Sequence, residues 1–330
     1  MKRPVYRCMF VTLFVLSASA AAAAQSGREK VFEALDKGGC ARVEPGGVEV
    51  CGYDYASEGR NVEAVSFRPA GAGRFPALLL IPGHQRSARD YLGLGAAFAS
   101  AGFACLAVSQ PGFGRSEGGA DFAGPRTLAA LRAGLERFKR EPYVDAGRLG
   151  VYGYSRGAMA ASLLVVGSRD VRAAVFGGGV YDFKKAYDEV TNEGIRRNME
   201  REAGLTPEAV KARSSVLHME ALRCPVLILH GEKDESAPLS QALLLRDRLT
   251  ALKKDFEIKI VPDKGHALGM DEVLGSSLDF FKRRLAPGAP KGERAPRGRP
   301  RPRPGGARSS SSWTTTTSRR PYLKMAEGAL

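Results

Sequence analysis

The feature that most constrains this chain is a serine placed between an apolar strand and an apolar helix. Residues 149–152 form a short apolar run typical of a strand, and residues 158–166 form a run of small and apolar residues typical of a buried helix. Between them, Gly153-Tyr-Ser155-Arg-Gly157 fits the pattern G-x-S-x-G. Strand, tight turn and helix together predict a nucleophile elbow, which exposes the serine hydroxyl to a neighbouring base. The alternative interpretation is an ordinary strand-to-helix turn with a capping serine.

Strand and helix patterns alternate along the chain around this elbow. Strands are predicted at residues 61–68, 77–81, 103–109, 149–152, 171–176, 225–229 and 256–261. Helices are predicted at residues 28–37, 89–100, 125–140, 158–166, 239–252 and 271–285. This alternation predicts an α/β fold with a mostly parallel central sheet and helices on both faces. Sites in such sheets gather at the carboxyl ends of strands, and five candidate groups follow strands directly: His84, Ser155, Asp182, Asp234 and His266.

A nucleophilic serine requires a base. His266 is the best-placed histidine, because it follows the last strand beside a glycine. His230 also ends a strand, where holding the following turn is the simpler role. His84 lies in the loop after the first buried strand, and His218 lies in a charged helical stretch where a structural role is expected.

The base in turn requires an acid that fixes its tautomer. Asp234 is the first choice, Asp182 is a reserve and Asp263 is a weaker one. The chain order Ser155, Asp234, His266 is the order found in α/β-hydrolases.

An oxyanion hole needs two N–H donors beside the serine. The first predicted donor is the backbone N–H of Arg156, which follows the nucleophile. The second comes from the loop at residues 82–85, where His84 is preferred and Gln85 is the alternative.

The motifs in their order resemble the α/β-hydrolase superfamily over roughly residues 60–285. They are Pro82-Gly-His84, the G-x-S-x-G elbow, His230-Gly-Glu-Lys-Asp234 and Gly265-His266. Within this span, residues 110–118 and 230–238 resemble the prolyl-oligopeptidase and dienelactone-hydrolase branch. The resemblance implies that Ser155, Asp234 and His266 form a catalytic triad. Residues 183–222 are highly charged and predicted to be helical, and we expect them to form a lid inserted after the sixth strand.

Two departures from the peptidases of this branch bear on the substrate. The elbow reads Ser-Arg-Gly-Ala where those peptidases favour Ser-Tyr-Gly-Gly, and we expect no propeller domain ahead of the catalytic one. We therefore predict a secreted serine hydrolase that acts through an acyl-enzyme, with small esters as first substrates. A prolyl-oligopeptidase-like peptidase acting on short peptides is the alternative. A non-catalytic scaffold that binds a ligand or partner is the rival from another class.

The chain ends differ from the middle in composition. Residues 1–24 combine Lys2, Arg3 and Arg7 with an apolar run and a small-residue end, which predicts a cleaved signal peptide, a secreted or periplasmic protein and no membrane span afterwards. The tail at residues 286–330 is rich in Pro, Arg, Gly, Ser and Thr, which predicts disorder. A basic tail of this kind can contact anionic components of the cell envelope.

Charge and motifs exclude other classes. Of the net charge of +15, residues 1–24 carry +3 and residues 286–330 carry +8, which leaves +4 for residues 25–285. This mildly basic middle gives no support for a nucleic-acid partner. The sequence has no H-E-x-x-H, no paired C-x-x-C and no G-x-x-x-x-G-K, so neither a metal nor a cofactor is predicted.

Two cysteines are placed for a disulfide. If Pro45-Gly46 forms the turn of a hairpin, Cys40 falls opposite Cys51, close enough to bridge in an exported protein. Cys105 and Cys224 lie in or beside apolar strands and are predicted to be buried thiols.

Overall fold

The computed structural model describes residues 25, 27–44 and 46–289. The signal peptide predicted at residues 1–24 lies outside the described residues. So do Pro45 and most of the tail predicted at 286–330, from residue 290 onwards.

The centre of the molecule is a nine-stranded sheet. Along the chain, the described strands are β1 (Cys40–Val43), β2 (Val48–Gly52), β3 (Tyr55–Ser57), β4 (Arg60–Val62), β5 (Ala64–Arg68), β6 (Phe75–Ile81), β7 (Ala104–Val108), β8 (Val144–Tyr154), β9 (Val171–Gly177), β10 (Val226–Gly231) and β11 (Phe256–Val261). Their order in the sheet is β1-β2-β5-β7-β6-β8-β9-β10-β11, while β3 and β4 form a separate pair. The run from β7 to β11 is parallel, and the strands at the other edge are antiparallel. The predicted mostly parallel sheet is confirmed.

Helices cover both faces of the sheet. They are α1 (27–36), α2 (Leu92–Ser100), α3 (Pro125–Phe138), α4 (Arg156–Val165), α5 (Phe183–Glu189), α6 (Glu193–Ala203), α7 (Pro207–Arg213), α8 (Leu239–Ala251) and α9 (Met270–Arg284), with 3-10 helices at Ala88–Tyr91 and Ser215–Ala221. On one face α3, α4 and α8 pack on the sheet through residues such as Leu131, Met159 and Leu245. On the other face α1, α2 and α9 do so through Leu35, Phe98 and Phe281. None of the described helices is both long and apolar enough to cross a membrane.

The strand predicted at residues 61–68 is two strands, β4 and β5, interrupted at Glu63. The Glu63 side chain is buried, and its carboxylate accepts hydrogen bonds from the Ser109 hydroxyl at 2.7 Å and from Arg89 Nε at 2.9 Å. These contacts turn the chain at Glu63, so that β4 pairs with β3 and only β5 joins the main sheet.

The hairpin β1–β2 has the register predicted from the sequence. Cys40 stands opposite Cys51 and Val43 opposite Val48, and a disulfide joins the two cysteines. Cys105 and Cys224 are buried free thiols, and burial raises the pKa of both.

The region predicted as a lid, residues 183–222, is helical. It contains α5, α6, α7 and the 3-10 helix Ser215–Ala221, and it connects β9 to β10. The strand that precedes this region, β9, is the ninth strand along the described chain and not the sixth, since this count includes the short strands. Thr206 caps α7 by accepting a hydrogen bond from the Ala209 N–H, and Pro207 occupies the first helical position.

Candidate active site

The turn between β8 and α4 holds Ser155 in a strained backbone conformation. Its φ is 55° and its ψ is −124°, in a region that L-residues rarely adopt. The Ser155 N–H donates to the Gly177 carbonyl at 2.7 Å, which ties the turn to the end of β9. A Cβ on Gly153 would lie 2.2 Å from the Gly157 oxygen, and one on Gly157 would lie 2.0 Å from the Ile81 oxygen. Both glycines are therefore required by the close approach of strand, turn and helix.

The structure brings Ser155, His266 and Asp234 into one hydrogen-bonded array. His266 Nε2 lies 2.8 Å from the Ser155 hydroxyl oxygen. His266 Nδ1 lies 2.8 Å from Asp234 Oδ2 and 3.0 Å from Oδ1. This is the geometry in which a neutral imidazole accepts the serine proton while the carboxylate fixes its tautomer.

Backbone donors fix the Asp234 carboxylate. Oδ1 accepts hydrogen bonds from the N–H groups of Ser236 and Ala237, at 2.9 and 2.8 Å. The residue is buried, so these bonds replace water as partners of the charge. His230 is buried beside it and its Nε2 lies 2.7 Å from the Ala237 carbonyl oxygen, which holds the turn as the sequence suggested. Burial lowers the pKa of His230.

Tyr154 links the elbow to the loop that carries His266. Its hydroxyl donates to the His266 carbonyl at 2.5 Å and accepts from the Leu268 N–H at 3.1 Å. This role was not predictable from the sequence, because the contact joins residues more than a hundred positions apart.

The other candidate acids and bases have different partners. Asp182 caps α5 by accepting from the Lys185 N–H at 3.0 Å. Asp263 forms a surface ion pair with Lys233 at 2.7 Å. His218 Nε2 lies 3.1 Å from the Lys211 carbonyl oxygen on an exposed surface.

The loop at residues 82–85, predicted to supply an oxyanion donor, passes directly over the serine. A Cβ on Gly83 would lie 3.2 Å from the Ser155 Cβ, and Gln110 Nε2 holds the loop by donating to the Pro82 carbonyl at 2.7 Å. His84 is half-buried, and burial, together with the nearby Arg156 charge, lowers its pKa. The assignment of the His84 and Arg156 N–H groups as donors stays a prediction.

A cavity of about 320 Å³ opens beside the serine. Most of its wall is apolar, with Phe122, Met159, Val180 and Ile195 among the lining residues. Ser155, His266 and the 82–85 loop meet at the same cavity, so a carbonyl group bound there would lie next to the hydroxyl.

The sequence profile of the prolyl oligopeptidase family matches residues 96–287, more than half of the chain. The chain belongs to the prolyl oligopeptidase family. The uncharacterized peptidase YtmA of Bacillus subtilis is 31% identical over 209 residues, which cover 62% of this chain and 80% of YtmA. The uncharacterized peptidase YuxL of the same organism is 28% identical over 65% of this chain and 35% of its own length.

Among solved structures, the acylaminoacyl peptidase of Pyrococcus horikoshii has the same fold. It superposes with a TM-score of 0.65 at 20% identity, over 72% of this chain and 42% of that one. This chain therefore spans less than half of that peptidase, and about a third of YuxL. The likeness confirms the α/β-hydrolase fold, and family membership identifies the protein as a serine hydrolase of the peptidase type.

In this prolyl oligopeptidase family member, helix α6 contacts the catalytic core through two polar pairs. Arg156 Nη1 donates to Glu202 Oε2 at 2.6 Å, and Asn198 Nδ2 lies 3.2 Å from His84 Nε2. The Arg156 guanidinium also stacks over the Phe122 ring, 4.0 Å from its centre. Desolvation lowers the pKa of Arg156, and the Glu202 charge opposes that shift. These α6 residues were not predictable from the sequence, because nothing local to residues 193–203 indicates which face of the helix contacts the elbow.

Proposed function

We propose that the protein is a prolyl-oligopeptidase-type serine peptidase that cleaves short peptides through an acyl-enzyme. The observation that carries this proposal is the Ser155–His266–Asp234 array at the mouth of an apolar cavity. Family membership favours peptides over the esters that the sequence analysis placed first. Ester hydrolysis remains a side reaction of the same chemistry.

The proposed reaction starts with the Ser155 hydroxyl. Its oxygen attacks the scissile carbonyl carbon while His266 Nε2 takes the proton, and Asp234 stabilises the resulting imidazolium. The N–H groups of Arg156 and His84 stabilise the tetrahedral oxyanion. The C–N bond then breaks as His266 gives its proton to the leaving amine. His266 next deprotonates a water that attacks the acyl-enzyme, and Ser155 recovers its proton as the acid product leaves.

We also propose that the protein acts outside the cytoplasm. The signal-type composition of residues 1–24 and the Cys40–Cys51 disulfide support this location, because disulfides persist in oxidising compartments. Cell fractionation followed by sequencing of the mature amino terminus tests it. We expect a periplasmic or secreted form that begins near Gln25, and a cytoplasmic form with reduced cysteines would contradict the proposal.

Labelling with a fluorophosphonate probe tests the nucleophile. Wild-type protein should label, and Ser155→Ala should not. Ser276→Ala, a change on α9 where the hydroxyl accepts from Lys259 Nζ, serves as the matched control and should label like wild type. Absence of labelling in folded wild-type protein would favour the non-catalytic scaffold instead.

Matched peptide amides and esters with the same acyl group then test the substrate class. We expect turnover of the amides, and a loss of roughly a millionfold in kcat for Ser155→Ala. Turnover of the esters alone would restore the ester preference and refute the peptidase proposal.

A further inference from the structure

A buried ion pair involves the residue that directly follows the reactive serine. The side chains of Arg156 and Glu202 are only 4% and 5% exposed. Their atoms Nη1 and Oε2 are 2.6 Å apart, and the exposed Arg201 contacts the other carboxylate oxygen, Oε1, at 3.2 Å. Because both partners are nearly excluded from water, the carboxylate is the main neutralising partner of this guanidinium.

The guanidinium lies at the wall of the substrate cavity, because Arg156 and the ring on which it stacks, Phe122, both line that cavity. Arg156 is among the residues that line the cavity, whereas Glu202 contacts Arg156 from α6. Phe122 and Phe113 flank the guanidinium, with ring centres 4.0 and 5.3 Å from its central carbon. Arg156 Nε is buried with no hydrogen-bond partner among the described residues, so the group retains unused donor capacity.

The remaining wall offers little charge to a ligand. The other arginine of the lining, Arg86, lies 3.6 Å from the Asp90 carboxylate. Burial lowers the pKa of His84, which favours its neutral form. The cavity wall is therefore mostly apolar, and its buried cation, Arg156, is already paired.

We propose that Glu202 is a specificity-determining residue, which neutralises Arg156 and so restricts the cavity to uncharged side chains of the acyl residue. This inference rests on the proposed peptidase function. A substrate carboxylate would meet a guanidinium that is already paired, and a substrate ammonium would meet a like charge. An uncharged side chain avoids both penalties and packs against the apolar wall.

Glu202→Gln tests the inference, because it removes the charge and keeps the shape. The glutamine oxygen can still accept from Arg156, so α6 keeps its anchor, while the guanidinium becomes available to an anionic ligand. The measurement is the ratio of kcat/KM for two isosteric peptide amides, one with Glu and one with Gln as the acyl residue. A new charge-assisted hydrogen bond should raise this ratio by about tenfold or more.

Two further variants separate charge from structure. Glu200→Gln removes a carboxylate from the same helix, where it accepts a hydrogen bond from the exposed Tyr187 hydroxyl, and should leave the ratio unchanged. Arg156→Gln combined with Glu202→Gln removes both charges and should abolish the preference for Glu that Glu202→Gln creates. Circular dichroism melting verifies that each variant is folded.

A binding experiment tests the same charge preference without substrate turnover. Calorimetry measures the affinities of N-acetylglutamate and N-acetylglutamine for Ser155→Ala, with and without Glu202→Gln, at one salt concentration. We expect Glu202→Gln to favour the glutamate by about tenfold or more. If wild type hydrolyses no substrate, the proposed function fails and binding alone decides the inference. An unchanged ligand preference in folded Glu202→Gln protein, or a preference that persists in the double variant, would overturn the inference.

Discussion

Tyr154→Phe tests whether the elbow also positions the catalytic histidine. The hydroxyl accounts for two hydrogen bonds to the loop that carries His266, one to the His266 carbonyl and one from the Leu268 N–H. Phenylalanine keeps the ring and the packing of Tyr154, and it removes both bonds at once. Leu268 is buried, so its N–H loses its hydrogen-bond acceptor in this variant.

The expected loss follows from these two bonds. Loss of the bond to the His266 carbonyl costs about 1 kcal/mol net, and loss of the other bond leaves the buried Leu268 N–H unpaired, which costs about 1–3 kcal/mol. The free energy of unfolding should therefore fall by about 2–4 kcal/mol. Loss of positioning at His266 should lower kcat by about 10- to 100-fold, because a small displacement of a catalytic base raises the activation barrier. KM should change less than kcat.

Urea unfolding and the rate of fluorophosphonate labelling measure the two effects. Tyr187→Phe is the matched control, since its hydroxyl donates at 2.5 Å to Glu200 on an exposed surface. That variant should lose less than about 0.5 kcal/mol and label at the wild-type rate. The reasoning is refuted if Tyr154→Phe retains both the stability and the labelling rate of wild type.

Three further perturbations have defined outcomes. Replacing Cys40 and Cys51 by serine should lower the free energy of unfolding in urea by about 2–3 kcal/mol, and reductant should affect only the wild type. Because burial lowers the pKa of His230, only the unfolded chain binds its proton just below pH 6.5. The contribution of neutral His230 to the free energy of unfolding is therefore present above pH 6.5 and lost as the pH falls. In urea unfolding between pH 7 and 5, the free energy of unfolding should depend less steeply on pH for His230→Gln than for wild type. Gly178 has φ 53°, and its Cβ would lie 3.4 Å from the His266 ring. Gly178→Ala should lose about 1 kcal/mol of stability, whereas Gly178→Val should lower kcat by more than tenfold because its methyl groups displace the imidazole; equal kcat for the two variants would contradict this.

Most strands of the main sheet, and the residues that follow them, were predictable from the sequence. Asp234 and His266 each follow an apolar run closely, and parallel strands bring such positions to one edge. The choice of Asp234 over Asp182 as the acid of the triad was harder to make from the sequence, since both residues follow strands. Asp182 precedes a helical segment, and its capping bond to the Lys185 N–H is a local role that its type and position favour.

Features that depend on pairing between distant elements were not predictable. Strands β3 and β4 have three residues each, too few for a periodic pattern to appear. The Arg156–Glu202 pair joins positions 46 apart, and the charged sequence of α6 reads equally well as a solvated surface helix. Only the placement of α6 against the elbow shows that one of its carboxylates is buried.

The sheet order explains why the residue that follows β9, Gly178, must be small. Ser155 leaves β8, whereas Asp234 and His266 follow β10 and β11, two and three strands away. Neighbouring strands are about 4.8 Å apart, so His266 starts roughly 14 Å from the strand that carries the serine. Its loop and that of Asp234 must therefore reach back across the end of β9. There Gly178 leaves room for both side chains, and its N–H donates to the Leu229 carbonyl at 2.8 Å. A small residue at position 178 is thus a condition for assembling the triad, although it takes no part in the chemistry.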